Sequence, residues 1–311
     1  MINNFALIGA AGYVAPRHLR AIKDNGQNLA AIMDNKDSVG IIDSYFPDAS
    51  FFTEFERFDR HCEMLRRAGE EERIHYVSIC SPNYLHDAHI RFALRADANA
   101  ICEKPLVLNP WNADALMALE KETGKRVFTI LQLRLHPAII ALKEKIASLP
   151  KDKKHNIVLT YITPRGKWYH YSWKGDIVKS GGVATNIGIH FFDMLMWIFG
   201  IPKKSKLHLY RTDKAAGMLE LENANVQWFL SIDKNDLPDK SQKTFRSITM
   251  DGEEIEFSEG FTDLHTLSYK EILAGNGFGI DQAKPSIDAV YEIRHSEPVG
   301  LKGEYHPFLK K

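Results

Sequence analysis

Cysteine is scarce in this chain. There are three among 311 residues, Cys62, Cys80 and Cys102, far apart and without CxxC spacing. That excludes a disulfide framework and a structural zinc site of the cysteine type, and fits buried thiols in a reducing cytoplasm. Net charge is also missing: 40 Lys and Arg balance 40 Asp and Glu. No global basic field is available for nucleic acid or for an acidic membrane surface. No apolar run approaches the roughly 20 residues of a membrane span. The start, MINNFALIG, lacks a basic region and a cleavage signal, and reads as a first strand rather than a leader. Low-complexity segments and internal repeats are absent.

What is present is alternation. FALIG, LAAIMD, HYVSICS and NAICEKP are nearly continuous apolar runs, as in buried parallel strands. Helical patterns separate them. Residues 16–25 open on Pro16, FERFDRHCEMLRRAG stops at Gly69, YLHDAHIRFALRA follows, and WNADALMALEKETG stops at Gly124. Strand–helix alternation at this spacing predicts a doubly wound parallel sheet over residues 1–130. After RVFTILQLR the texture changes. A helix, HPAIIALKEKIASL, precedes the strand patterns NIVLTYITP, KLHLYR, GMLELE, NVQWFLSID and TFRSITMDG, with Asp251-Gly252 as a hairpin turn. An apolar helix, TNIGIHFFDMLMWIFG, interrupts them and stops at Gly200. Two further helices are expected near 264–275 and 284–295. Residues 131–311 therefore predict an α+β domain with a large, mostly antiparallel open sheet.

Three polar clusters fall where strands of the first domain end. The first strand runs into Gly9-Ala-Ala-Gly-Tyr-Val-Ala15, directly before a helix. As GxGxxG the match is imperfect, with Ala10, Gly12 and Ala15 at the three spacings. Even so, glycines here let Ala11, Gly12, Tyr13 and Val14 present backbone to a pyrophosphate at a helix N-terminus. Asp34 ends the second strand 22 residues after Gly12, near the offset of an acid that accepts hydrogen bonds from an adenosine ribose. A carboxylate there favours NAD over NADP, and FAD stays open. Two more clusters, Cys80-Ser-Pro-Asn-Tyr-Leu-His86 and Glu103-Lys104-Pro105, end later strands, at the edge where open parallel sheets bind ligands. A lysine at that edge suits a reacting hydroxyl, whose alkoxide character it stabilises. A surface ion pair between Glu103 and Lys104 is poorly placed, because neighbours on a strand point to opposite faces.

GAAGYVA, CSPNYLHDAH, AICEKPL and NIGIHFFD, in this order, resemble the Gfo/Idh/MocA family, which joins a Rossmann domain to an α/β domain with a broad sheet. The resemblance implies that Lys104 lies beside both nicotinamide and substrate. It also implies cofactor contacts from Ser81, Asn83, His86, Glu103 and Gln132 as well as from the glycine turn. GYVAPRHLRAIKDNG, QLRLHPAI, TPRGKWYHYSWKGD and GGVATNIGIHFFD are similar to bacterial UDP-N-acetylglucosaminuronate 3-dehydrogenases. That likeness implies NAD-dependent oxidation of a sugar C3 hydroxyl to a ketone. An aminotransferase would take up the ketone, on the way to a diacetamido-uronic acid of lipopolysaccharide O-antigen. It further implies a homotetramer formed through the second sheet.

In the second half, Asn186, His190 and Asp193 stand at i, i+4 and i+7 on the apolar helix, hence on one face. Spacing alone fits a core histidine as well as a general base. The resemblance implies the base, and many relatives carry Asp where this chain has Asn186. Asp193 then stands by as an orienting group for the ring. TPRGKWYHYSWKGD offers Arg165 and Lys167 for a carboxylate or diphosphate, and Trp168, Tyr169, Tyr171 and Trp173 as stacking faces. A solvated loop whose aromatics dock on the core is the competing reading. Gln132, Arg134 and His136 are further sugar or cofactor contacts. No HExxH or Cys/His cluster calls for a metal. Another sugar or polyol dehydrogenase of the family, or an NAD-binding regulator without chemistry, remain the alternatives.

Overall fold

The computed structural model describes residues 2–150, 153–255 and 263–310. The first half builds β1 (Asn4–Ile8), α1 (Ala15–Asp24), β2 (Asn28–Met33), β3 (Ser50–Phe52), α2 (Phe55–Ala68) and β4 (Tyr76–Ile79). It continues with α3 (His86–Arg95), β5 (Asn99–Cys102), α4 (Pro110–Thr123) and β6 (Val127–Thr129). These six strands form one parallel sheet in the order β3-β2-β1-β4-β5-β6. The order reverses between β1 and β4, which places a crevice beyond their C-terminal ends. The short β3 carries too little pattern to be read from sequence.

The second half follows with α5 (Pro137–Ala147), β7 (His155–Ile162), two short helices α6 (Trp168–Tyr171) and α7 (Ile177–Ser180), and α8 (Ile189–Phe199). Then come β8 (Pro202–Tyr210), β9 (Lys214–Leu221), β10 (Ala224–Ser231), β11 (Phe245–Met250) and β12 (Glu253–Glu254). The sheet order is β12-β11-β7-β10-β9-β8, antiparallel except for the parallel pair β7 and β10. Asp251 and Gly252 turn the β11–β12 hairpin with φ of 54° and 90°, the left-handed pair that a tight hairpin needs. The chain ends with α9 (Leu264–Leu273) and α10 (Ile280–His295).

Two compact units result. One holds residues 1–107, 111–132 and 262–283; the other holds 108–110, 133–261 and 284–311. The division at 130/131 expected from sequence thus misses a return: α9 belongs with the first unit. Its Tyr269 and Ile272 are buried in the same apolar cluster as Phe5, Leu7, Leu19 and Ile32. A helix pattern shows which face is apolar but not which core that face enters.

In the second unit, the expected long helix opens with a wider turn. Ala184–Gly188 is π-helical, and α8 proper starts at Ile189 and stops at Gly200, φ 90°. Among the described residues, Ile177–Phe199 is the stretch long and apolar enough to cross a membrane by composition, and 78% of its most apolar 18-residue window is buried inside the protein, as in a core helix.

Candidate active site

The β1–α1 turn is shaped by contact with β4. Gly9 has φ 96°, and a Cβ there would lie 2.7 Å from the Cys80 carbonyl carbon and the Ser81 nitrogen. Only glycine lets the two strand ends approach this closely. Asp34 holds the turn from the other side: Oδ2 accepts the Ala11 N–H at 2.8 Å and Oδ1 accepts the Lys36 N–H at 2.9 Å. Each oxygen keeps a lone pair for a further donor. No side chain caps the N-terminus of α1, and its first turn carries no acidic residue. The positive end of its dipole therefore meets no competing carboxylate and suits an anion. Gly12 lies in the turn, Tyr13 is exposed, and Val14 packs against the first unit's core.

At the end of β4, Ser81 shares a hydrogen bond with His89 Nδ1 at 2.8 Å, and Asn83 is buried. His86 is a correction to the expectation of a cofactor contact. Its ring is 1% exposed, with Nδ1 2.8 Å from the Pro105 carbonyl oxygen and Nε2 2.8 Å from that of Ser81. It ties the β4 loop to the turn after β5, and burial holds its pKa below the ordinary imidazole value.

Glu103 is a second correction. Its carboxylate points into the protein, where Oε1 accepts from His18 Nε2 and from His265 Nε2, both at 2.9 Å. Burial by itself raises its pKa, but the two imidazole hydrogen bonds outweigh this and hold it well below the usual carboxylate range. His18, Glu103 and His265 escaped the sequence reading because 85 and 162 residues separate the glutamate from its partners. Lys104 follows directly, half-buried, joined to Pro105 by a cis peptide bond. Gln132 has a buried Oε1 with no hydrogen-bond partner.

In the second unit, Arg134, expected as a substrate contact, turns its fork inward instead. It is 7% exposed and bidentate on Asp193, Nε to Oδ2 at 2.9 Å and Nη2 to Oδ1 at 2.7 Å. Asp193, expected to stand by for the His190 ring, is committed to this pair, and burial pushes its pKa up against the pull of the guanidinium. His136, expected as a sugar contact, is buried and caps α5, accepting the Ala138 N–H on Nδ1 at 3.2 Å.

The 164–182 segment is partly a correction. Tyr169 is 1% exposed, so its ring is no stacking face; its hydroxyl oxygen accepts from Asn186 Nδ2 at 2.8 Å. Asn186 lies in the π turn and His190, half-buried, in the first turn of α8. Arg165, Lys167, Trp168 and Tyr171 are exposed, and Trp173 is half-buried. Gly175 keeps this lobe compact: a Cβ there would come within 2.6 Å of the His170 Cα.

Residues 3–131 match the family model described as "Oxidoreductase family, NAD-binding Rossmann fold", and residues 155–235 match "Oxidoreductase family, C-terminal alpha/beta domain". Among solved structures, the chain is similar to the WlbA (WbpB) dehydrogenase from Thermus thermophilus in complex with NAD and alpha-ketoglutarate. That likeness has a TM-score of 0.95 at 51% identity, over 99% of this chain and 100% of that one. A second structure, with NAD and UDP-GlcNAcA, gives a TM-score of 0.94 at 50% identity, over 99% and 100%. A curated relative, D-glucoside 3-dehydrogenase of Escherichia coli, is 26% identical over 44% of this chain and 39% of its own length. The chain spans about two fifths of the length of the curated relatives it matches first.

Proposed function

The chain belongs to the Gfo/Idh/MocA oxidoreductase family, and from that premise we propose that it oxidises the C3 hydroxyl of UDP-N-acetylglucosaminuronic acid to the 3-keto sugar with NAD. The observation that carries this reading is the end-to-end likeness, at 50% identity, to a dehydrogenase solved with NAD and UDP-GlcNAcA. The first unit fits the cofactor. The uncapped N-terminus of α1 suits the pyrophosphate, Asp34 suits the ribose diol, and the partnerless Gln132 oxygen suits a carboxamide N–H. When bound, NAD supplies the acceptor for the C3 hydride.

In this reading the protein handles the proton and the orientation. His190 takes the hydroxyl proton, and Lys104 donates a hydrogen bond to the same oxygen as negative charge develops on it. The two act as one coupled unit. Asn186 orients the sugar. Arg165 and Lys167 meet the carboxylate or diphosphate, and Trp168 and Trp173 supply stacking faces. Arg134 holds Asp193 on the helix that carries His190, and Tyr169 holds Asn186.

The alpha-ketoglutarate in the Thermus thermophilus structure supports a 2-oxo acid as the co-substrate that regenerates NAD in place. Hydride to its carbonyl carbon and a proton to its oxygen yield a 2-hydroxy acid. The 3-keto product suits an aminotransferase of O-antigen assembly, and the setting is the cytoplasm. A homotetramer is supported by the half-exposed face of the second sheet, where Val158, Met218 and Gln227 line a shallow depression of about 570 Å³. The test is NADH formation with UDP-N-acetylglucosaminuronate, UDP-N-acetylglucosamine and free hexoses, with and without a 2-oxo acid. Oxidation of the UDP-sugar acid in preference to the others is expected. Turnover of a free polyol alone moves the chain elsewhere in the family, and no turnover of any substrate favours a regulator.

A further inference from the structure

Glu103 is the centre of a buried hydrogen-bond chain that the mechanism above does not use. A carboxylate only accepts, so His18 and His265 both donate from Nε2 to Oε1. That tautomer leaves His18 Nδ1 as an acceptor, and it takes the Tyr269 hydroxyl proton at 2.7 Å. The Tyr269 oxygen in turn lies 2.6 Å from Ser78 Oγ, which donates to it. All five residues are buried. They come from α1, β4, the position just after β5, and α9. The remaining oxygen, Oε2, accepts the backbone N–H of Lys104 at 3.3 Å.

We infer that Glu103 is a positioning residue: it clasps the phosphate-turn helix α1 and the returning helix α9 to the end of β5, and so fixes where Lys104 leaves the sheet. Two hydrogen bonds to one ionised oxygen are strong and directional, and no water competes at this depth. His18 sits one turn into the helix whose N-terminus suits the pyrophosphate, so the same carboxylate constrains both the phosphate turn and the lysine. The far end of the chain, through His265 and Tyr269, becomes part of the cofactor unit's working edge.

The three side chains also form a His–Glu–His group with ligand atoms within 4.8 Å of one another. A bound cation would need both Nε2 atoms stripped of their protons and aimed at the ion. Both instead sit at hydrogen-bond distance on a single oxygen, which favours the clasp.

The kinetic arm of the test rests on the proposed sugar oxidation; the spectroscopic arm does not. Glu103→Ala and His265→Leu are each expected to lower kcat per folded molecule roughly 10- to 100-fold, because Lys104 is displaced rather than removed, and Glu103→Ala, which also releases His18 and the phosphate turn, is expected to raise KM for NAD more than His265→Leu does. His265→Gln restores an N–H donor near the Nε2 position and recovers most of the loss. In the downfield proton spectrum, two hydrogen-bonded imidazole N–H signals of the wild type, those of His18 and His265, are expected to disappear together in Glu103→Ala. His265→Leu with wild-type kcat per folded molecule overturns the inference, and so does a failure of His265→Gln to recover activity. One equivalent of divalent metal in protein purified without chelator overturns it as well. If the wild type oxidises no UDP-sugar, the functional reading fails on its own. The spectrum then decides the clasp, and signals that persist in Glu103→Ala overturn it.

Discussion

Two buried carboxylates flank the two residues assigned to chemistry, and they are neutralised differently. Glu103 precedes Lys104 and is held by two imidazoles; Asp193 lies three residues after His190 and is held by one guanidinium. The planar fork of Arg134 matches a carboxylate with two parallel hydrogen bonds, so one partner suffices. Imidazoles donate one hydrogen bond each when neutral, so two are needed, and they bring two helices with them. The guanidinium pair pins one loop to one helix. The imidazole pair gathers separate parts of the chain.

The sharpest way to break the comparison is to remove the single partner. Arg134→Met strands Asp193 in the interior and is expected to cost about 3–5 kcal/mol, read as a fall in the denaturant midpoint. Removing one of two partners costs less: His265→Leu leaves His18 on Glu103, and a loss of about 1.5–3 kcal/mol is expected from the same measurement.

Buried imidazoles of the first unit also make stability depend on pH. His89, beside Ser81, is pushed down to about 4 by burial. A histidine with a lowered folded pKa binds its proton more readily when unfolded, so stability is full above the unfolded value near 6.5 and falls as pH drops toward 4. His18 shifts the same way, also through burial. Between pH 7 and pH 5 the wild type is expected to lose about 1–2 kcal/mol more than His89→Gln, measured by urea unfolding at the two pH values. Asp193 shifts in the opposite sense, so acid costs nothing through that pair. The smallest effect is expected from Tyr169→Phe. It removes the oxygen that accepts from Asn186, for about 1 kcal/mol of stability, and a rise in KM for the UDP-sugar exceeding any fall in kcat would mark Asn186 as a substrate-orienting group.

Much of the cofactor unit was legible because its signals are local. Gly9, the helix starting after it and Asp34 lie within one βαβ stretch, and the structure joins Asp34 to the turn through Ala11. The β11–β12 hairpin was legible for the same reason: Asp251-Gly252 announces its own backbone geometry. The π turn at 184–188 was not, since nothing in TNIGIH distinguishes it from α-helix. Arg165 and Tyr169 show the limit most clearly. Both read as ligand contacts from one motif, yet one is exposed and the other sealed under Asn186.

The amino-acid order alone determined the alternation of elements, the glycine turn and the residue types that end each strand, because periodicity and backbone sterics act over a few residues. Tertiary structure decided which carboxylate faces inward, which helix returns to the first core and which cation each acid meets. Burying a charge demands partners in three dimensions, and those partners stand 59, 85 and 162 residues away.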